Sequence, residues 1–370
     1  MEIMGLHLPG SSFVNPGTEL RNALTQEAVR RAFLNTGKTG GERIRMADIV
    51  TEKTLVNGII GLLATGGSTN HTIHLIAMAR AAGVLIDWDD FAELSHVVPL
   101  LARVYPNGSA DVNHFHAAGG MGYLDARTAR QRPAAQRRQH RHGQRAGRLH
   151  PGALARPGRF GLAPGPHHQR RRRGVAPRVR AVQPRRGLRL LQGNLGRSVV
   201  KVSAVKPEHR VVRAQAVVVS DQQDLLALFN AGKINKDLVA VVRYQGPRAN
   251  GMPELHKLTP LAVLQDQGFK VALVADGRMS GASGKVPAAI HLSPEALADG
   301  PIARVQDGDW ITLDCEQGIL TLEVDAPTLA ARTVQHPDLS HNAHGTGREL
   351  FGLFRTHAGT AESGASPLLA

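Results

Sequence analysis

Two glycine-rich stretches of this 370-residue chain carry side chains able to do chemistry: residues 246–260 (GPRANGMPELHKLTP) and 275–296 (ADGRMSGASGKVPAAIHLSPEA). In the first, Glu254 offers a hard oxygen ligand of the kind that suits Mg²⁺; it could equally stabilise a following helix start by about 0.3–1 kcal/mol with no catalysis involved. In the second, Ser280 is a leading site residue that, from the residues alone, also reads as an ordinary turn serine between glycines. Arg278 could grip a carboxylate or phosphate bidentately, or pair with a neighbouring acid. A third stretch, GGSTN at residues 66–70, precedes a helical pattern over 71–82. Backbone amides at such a start, with the side chains of Ser68, Thr69 and Asn70, can bind an anion, while plain capping by Ser68 or Thr69 is the alternative. His71, His74, His114 and His116 invite a metal reading, but zinc sites require three or four ligands. Hydrogen bonding to a substrate or a structural role suits His114 and His116 better.

These residues need strands and helices to bring them together. Residues 238–244 (LVAVVRY) and 269–275 (FKVALVA) are short, apolar and β-branched, as buried strands are. Between them lies an amphipathic helix over 261–267, with Thr259 as its expected cap and Pro260 at its first position. A strand, helix, strand unit implies parallel pairing. Loops leaving the carboxyl ends of such strands gather at the ligand crevice, so Glu254 and Ser280 should face one region. Elsewhere, helices are expected over 19–35, 54–63, 71–82 (Ile73, Ile76, Ala77 and Arg80 at helical spacing) and 221–231, a loop over 37–41, a strand over 211–220, and a strand pair within 305–324 turning at Gln317-Gly318.

Composition narrows the class. Length and 42% hydrophobic content permit about two domains with real cores. No apolar run approaches the ~20 residues needed to span a bilayer and no leader pattern opens the chain, so a cytoplasmic location with no membrane partner is expected. A single cysteine, Cys315, excludes a disulfide framework. The formal net charge of +15 would suggest a polyanion as partner, but residues 127–186 hold 18 arginines and no Asp, Glu or Lys, and the rest of the chain sums to −3. That stretch has the composition of a GC-rich gene read out of frame. One back-translation of RTARQ at 127–131, shifted by a nucleotide, reads Gly-Leu-Leu-Asp-Asn. A frameshift near Ala126 and a compensating one near Gly187 are therefore expected, with a disordered segment between. The contrasting reading makes this Arg-rich stretch an RNA-binding element, with nonspecific, salt-sensitive binding.

The two glycine-rich stretches, together with ATGGSTNHTIHLIAMARAAG (64–83) and PNGSADVNHFHAAGGMGYL (106–124), resemble the family of dihydroxy-acid and 6-phosphogluconate dehydratases. The resemblance covers residues 1–124 and 187–370. It implies an α/β fold: a doubly wound N-terminal domain, present in part over 1–126, and a swivelling, barrel-like β/α domain over 187–370, with the aberrant segment 127–186 between. It implies a hydro-lyase acting on a small, phosphorylated sugar acid, working as a homodimer, with an unphosphorylated dihydroxy or sugar acid as the alternative substrate and a noncatalytic remnant as the alternative role. By the same resemblance Ser280 is the general base, Ser68, Thr69, Asn70, Gly277 and Arg278 contact substrate, and Glu254 lies near the metal centre. The family's [4Fe-4S] cluster needs cysteine thiolates, and the lone Cys315 cannot hold one. The opening MEIMGLHLPGSSFVNP resembles a stretch that follows a cysteine-bearing segment in the family, so Met1 is expected to fall inside the N-terminal domain and the chain to be inactive by itself.

Overall fold

The computed structural model describes residues 1–38, 40–124, 153–156, 159–162, 187–280, 284–334 and 336–369. The chain forms two compact units, Met1–Gly66 with Val98–Arg185, and Gly67–Val97 with Arg186–Ala370. Residues 67–97, which in sequence precede the Arg-rich segment, are thus compact with the unit that follows it.

In the first unit, α1 (Glu19–Leu34) is capped by the Thr18 hydroxyl, which accepts from the Arg21 N–H. A short α2 (Met46–Ile49) leads to α3 (Glu52–Thr65), begun by reciprocal bonds between Thr51 and Thr54 and ended by Gly66 in the left-handed region. Leu55, Ile59, Leu62 and Leu63 of α3 are buried. Beyond α3, Phe13 meets Phe115 edge-on beside Ala102 and Tyr123. The strands described here, β1 (Ala153–Arg156) and β2 (Arg159–Leu162), form one antiparallel hairpin. The expected doubly wound sheet is not found among the described residues of this unit.

The second unit begins with α4 (His71–Ala81) and α5 (Trp88–Val97). Its core is a closed barrel of eight strands: β3 (Leu188–Gly193), β4 (Gly196–Lys201), β5 (Val211–Val219), β6 (Leu238–Val242), β8 (Val271–Ala275), β10 (Ala288–Ser293), β11 (Trp310–Asp314) and β12 (Ile319–Leu322). Two short strands, β7 (Glu254–Leu255) and β9 (Arg278–Met279), pair outside it. The order around the barrel is β10-β4-β3-β12-β11-β5-β6-β8. As the sequence pattern predicts, β6 and β8 are parallel, with Leu238 opposite Val271 and Val242 opposite Ala275. Both are buried along their whole length, which is why they read as continuous apolar runs and not as alternating ones.

The barrel interior is packed, with Val200, Ala214, Val239, Val241, Ala272, Val274, Leu313 and Leu320 in one cluster. Closure brings β3 and β12 together where a Cβ on Gly193 would lie 1.8 Å from the Leu320 carbonyl oxygen, so only glycine fits. Outside the barrel, the Ser95 hydroxyl of α5 donates to the Leu188 carbonyl of β3 at 2.8 Å. The Trp88 indole donates to the Thr72 carbonyl of α4, and Trp88 and Phe91 are fully buried. The helix after β7 spans Thr259–Asp266; Leu258, not Thr259, is its cap residue, without a side-chain bond. The β11–β12 turn falls at Gln317-Gly318 as expected, its amides at Glu316 and Gln317 held by the Asp314 carboxylate.

Candidate functional site

The site grows from the carboxyl ends of β6, β8 and β10. The Asp276 carboxylate, fully buried just after β8, accepts from the Tyr244 and Gln245 amides after β6 at 3.1 and 2.9 Å, and from the Ala296 amide at 3.0 Å. One side chain thus fastens three loops. Burial pushes its pKa up to about 6 against those three donors. Glu295 does similar work for the loop at 246–250, accepting from the Arg248 and Ala249 amides, and burial with the nearby Asp276 charge pushes it up to about 7. Gly277 runs so close to Gln245 that an added Cβ would sit 2.7 Å from the Gln245 Cβ. Its carbonyl accepts from the His291 amide.

On this frame β7 and β9 pair in parallel, with Glu254 opposite Arg278 and Leu255 opposite Met279. The Arg278 Nε donates to the Met252 carbonyl at 2.6 Å, and its Nη1 lies 3.3 Å from Glu254 Oε1. The Asn70 Nδ2 donates to the same Glu254 oxygen at 2.8 Å. Ser280 follows β9 directly and lines a small recess with Thr69, Met279 and Lys201. Thr69, Asn70, Glu254, Arg278 and Ser280, read from three separate stretches of sequence, therefore meet in one place.

Ser68 stands differently. Its hydroxyl accepts from the Asn70 amide and its carbonyl bonds the His71 ring, so it braces the start of α4. The capping alternative for Ser68 or Thr69 is corrected: the cap residue of α4 is Asn70, without a side-chain cap bond. Among the described residues the histidines belong to no group that could hold a metal ion. His71 and His74 belong to the second unit, whereas His114 and His116 belong to the first, where His114 pairs with Asp111 at 2.7 Å beside its own helix start.

Several residues escaped the sequence reading. Thr72 Oγ1 donates to the Thr69 carbonyl, so toward His291 it can only accept, which places the ring proton of His291 on Nδ1, 3.2 Å away. His291 is fully buried with φ 61°, its Nε2 has no partner among the described residues, and burial with the Arg278 and His74 charges lowers its pKa to about 3. Lys201 is also buried, at the end of β4. The one available signal was a lysine inside the valine-rich run RSVVKVSAV; His291 and Asp276 gave none, because only the barrel closure covers them.

The residues present do not fit the family's metal groups. Cys315 is buried in the β11–β12 turn, where burial pushes its thiol up to about 12, far from the thiolate a cluster needs. Among the described residues no three His, Cys, Asp or Glu side chains could hold a metal ion. Glu254 Oε1 is engaged by Asn70 and Arg278, and one remaining carboxylate oxygen is not a Mg²⁺ site.

A packed barrel with parallel strands among its eight, and with a serine, arginine and glutamate gathered on loops at their carboxyl ends, is the form that the second unit takes. The C-terminal family model of the dihydroxy-acid/6-phosphogluconate dehydratases matches residues 175–365, and the N-terminal one matches residues 1–134. The chain belongs to this dehydratase family. It is 53% identical over 370 residues to a phosphogluconate dehydratase of Rhizobium meliloti (strain 1021), a match covering 100% of this chain and 61% of the relative. It is 49% identical over 382 residues to that of Escherichia coli (strain K12), covering 99% and 61%. A dihydroxy-acid dehydratase of Anaeromyxobacter is 33% identical over 339 residues, covering 90% and 57%. The chain thus spans about three-fifths of the length of these curated relatives. No helix among the described residues is long and apolar enough to cross a membrane.

Proposed function

We propose that this chain carries the substrate-binding half of a 6-phosphogluconate dehydratase, the hydro-lyase that converts 6-phosphogluconate to 2-dehydro-3-deoxy-6-phosphogluconate and water in the Entner–Doudoroff route, and that by itself it turns over no substrate. The observation that carries this reading is the convergence of Asn70, Glu254 and Arg278 beside the recess that Thr69 and Ser280 line, in a chain whose similarity to phosphogluconate dehydratases exceeds that to a dihydroxy-acid dehydratase. In the reaction C2 loses a proton and C3 its hydroxyl, and the enol formed becomes the keto acid. Arg278 would pair with an anionic end of the substrate, Thr69 and Asn70 would orient its hydroxyls, and Ser280 would take the C2 proton. A serine hydroxyl without a Lewis acid is too weak a base for that step. The ligands of the family's cluster are not among this chain's residues, so no step is assigned to this chain through it. Glu254 acts here as the anchor of Asn70 and Arg278.

The segment 127–186, the bulk of which lies outside the described residues, we take to be the family's own coding sequence translated out of frame. Two facts support this: the family models leave residues 135–174 unmatched, and the Rhizobium alignment runs over 370 residues, the length of this chain, as paired frameshifts would leave it. A homodimer in the cytoplasm is the working state proposed from the family.

Calorimetry on the purified chain tests the reading. 6-Phosphogluconate should bind more tightly than gluconate or 2,3-dihydroxyisovalerate, with no keto acid formed and no iron in the protein. Preference for the unphosphorylated dihydroxy acid would shift the assignment to the other branch of the family, and keto-acid production by iron-free protein would refute the inactivity.

A further inference from the structure

The lysine at the end of β4 has no counter-charge among the described residues. Ile290 of β10 pairs with Val199 of β4, and strand alternation puts Val199, Lys201, Ala288 and Ile290 on the outer face of the barrel, opposite the interior filled by Val200, Val202, Ala289 and Leu292. There Lys201 is only 9% exposed. It lines a recess of about 20 Å³ with Thr69, Met279, Ser280, Ala288 and Ile290. No other ionisable side chain lines that recess, and no hydrogen bond or ion pair engages the ammonium among the described residues. A recess of this size holds about one water-sized group. The nearby guanidinium, Arg278, lies against Glu254 and the Met252 carbonyl and does not line this recess. Close by, Asn70 Oδ1 is buried without a hydrogen-bond partner among the described residues, an acceptor left over for a ligand hydroxyl.

Holding a lysine nine-tenths shielded from water with no counter-charge among the described residues is unfavourable where an apolar side chain of similar length would pack without that cost. A lysine held there therefore calls for an anion from outside the chain. We infer that Lys201 Nζ is the receptor for an oxyanion of the ligand, a carboxylate or phosphate oxygen seated in the recess beside Ser280 and Thr69. The inference rests on the dehydratase reading only for the kind of acid expected. Burial pushes Lys201 down to about 8, so the receptor is charged below that pH and loses its charge above it.

Thermal unfolding of the full chain at pH 7, in sodium gluconate or sodium phosphate against sodium chloride at equal ionic strength, tests this. The wild type is expected to gain several degrees in at least one of the two anions, and which one tells whether the carboxylate or the phosphate end is bound. Lys201→Met should lose that gain while unfolding in chloride at the same or a higher temperature, and Lys201→Arg should keep part of it. No anion-specific gain in the wild type, or an equal gain in Lys201→Met, overturns the inference. Should the methionine variant not fold, ¹³C-lysine spectra of the wild type decide: one lysine titrating near pH 8 should move upward on saturation with the anion, and a fixed titration refutes the receptor. Wild type and Lys201→Met binding 6-phosphogluconate equally would sink the receptor and leave the dehydratase reading standing. Lys201-dependent phosphate binding without 6-phosphogluconate binding would do the reverse.

Discussion

Glu295 is nearly fully buried, yet its carboxylate holds the Arg248 and Ala249 amides and so fixes the loop that leads to Glu254. Its pKa is raised from 4.5 to about 7, so the folded chain binds this proton more tightly than the unfolded chain does. The associated stability is fully present below about 4.5 and is lost as pH rises through about 7. Asp276, raised to about 6, acts in the same direction. Glutamine at 295 imitates the protonated acid, so Glu295→Gln should lose less melting temperature between pH 5 and pH 8 than the wild type does, with a residual slope from Asp276. Equal slopes in scanning calorimetry would show that Glu295 is not the group that titrates.

The elements around the site tolerate substitution according to what lies above each backbone atom. Gly277→Ala puts a methyl group 2.7 Å from the Gln245 Cβ, between two fastened loops that cannot both retreat. A loss of about 1–3 kcal/mol is expected by urea unfolding. Gly122→Ala is the control, because no described residue lies within 4 Å of the added carbon, and a change within about 0.5 kcal/mol is expected. In the barrel, Leu313→Ala removes a fully buried side chain from the interior cluster and should cost about 2–5 kcal/mol. A Gly277→Ala variant as stable as the wild type would mean that the loops after β6 and β8 are free to part.

Charge belongs to the whole molecule. All of the positive excess comes from the arginines of residues 127–186, without which the chain is slightly acidic. Association with nucleic acid should therefore be electrostatic: affinity for a random-sequence RNA should fall steeply and linearly in logarithm with salt, equally for unrelated sequences. Filter binding across a salt series measures this. A shallow salt slope with strong sequence preference would instead favour the Arg-rich stretch as a selected RNA-binding element.

The sequence by itself determined the parallel strand pair β6–β8, the helix after GGSTN, the family words and the absence of cluster ligands. These are properties of local apolar pattern, of glycine placement and of residue counts, which need no neighbours to be read. It also named five residues that converge, because loops leaving parallel strands share one end of a sheet. Closure of the eight-stranded barrel, the joining of residues 67–97 to the C-terminal unit and the burial of Asp276, His291, Glu295 and Lys201 were decided only by tertiary structure. A polar side chain inside a run of valines or alanines shows nothing of its surroundings until another segment covers it. That cover, from Thr69 of the chain entering α4 and from Ser280 after β9, turned an ordinary strand lysine into a buried side chain with no counter-charge among the described residues.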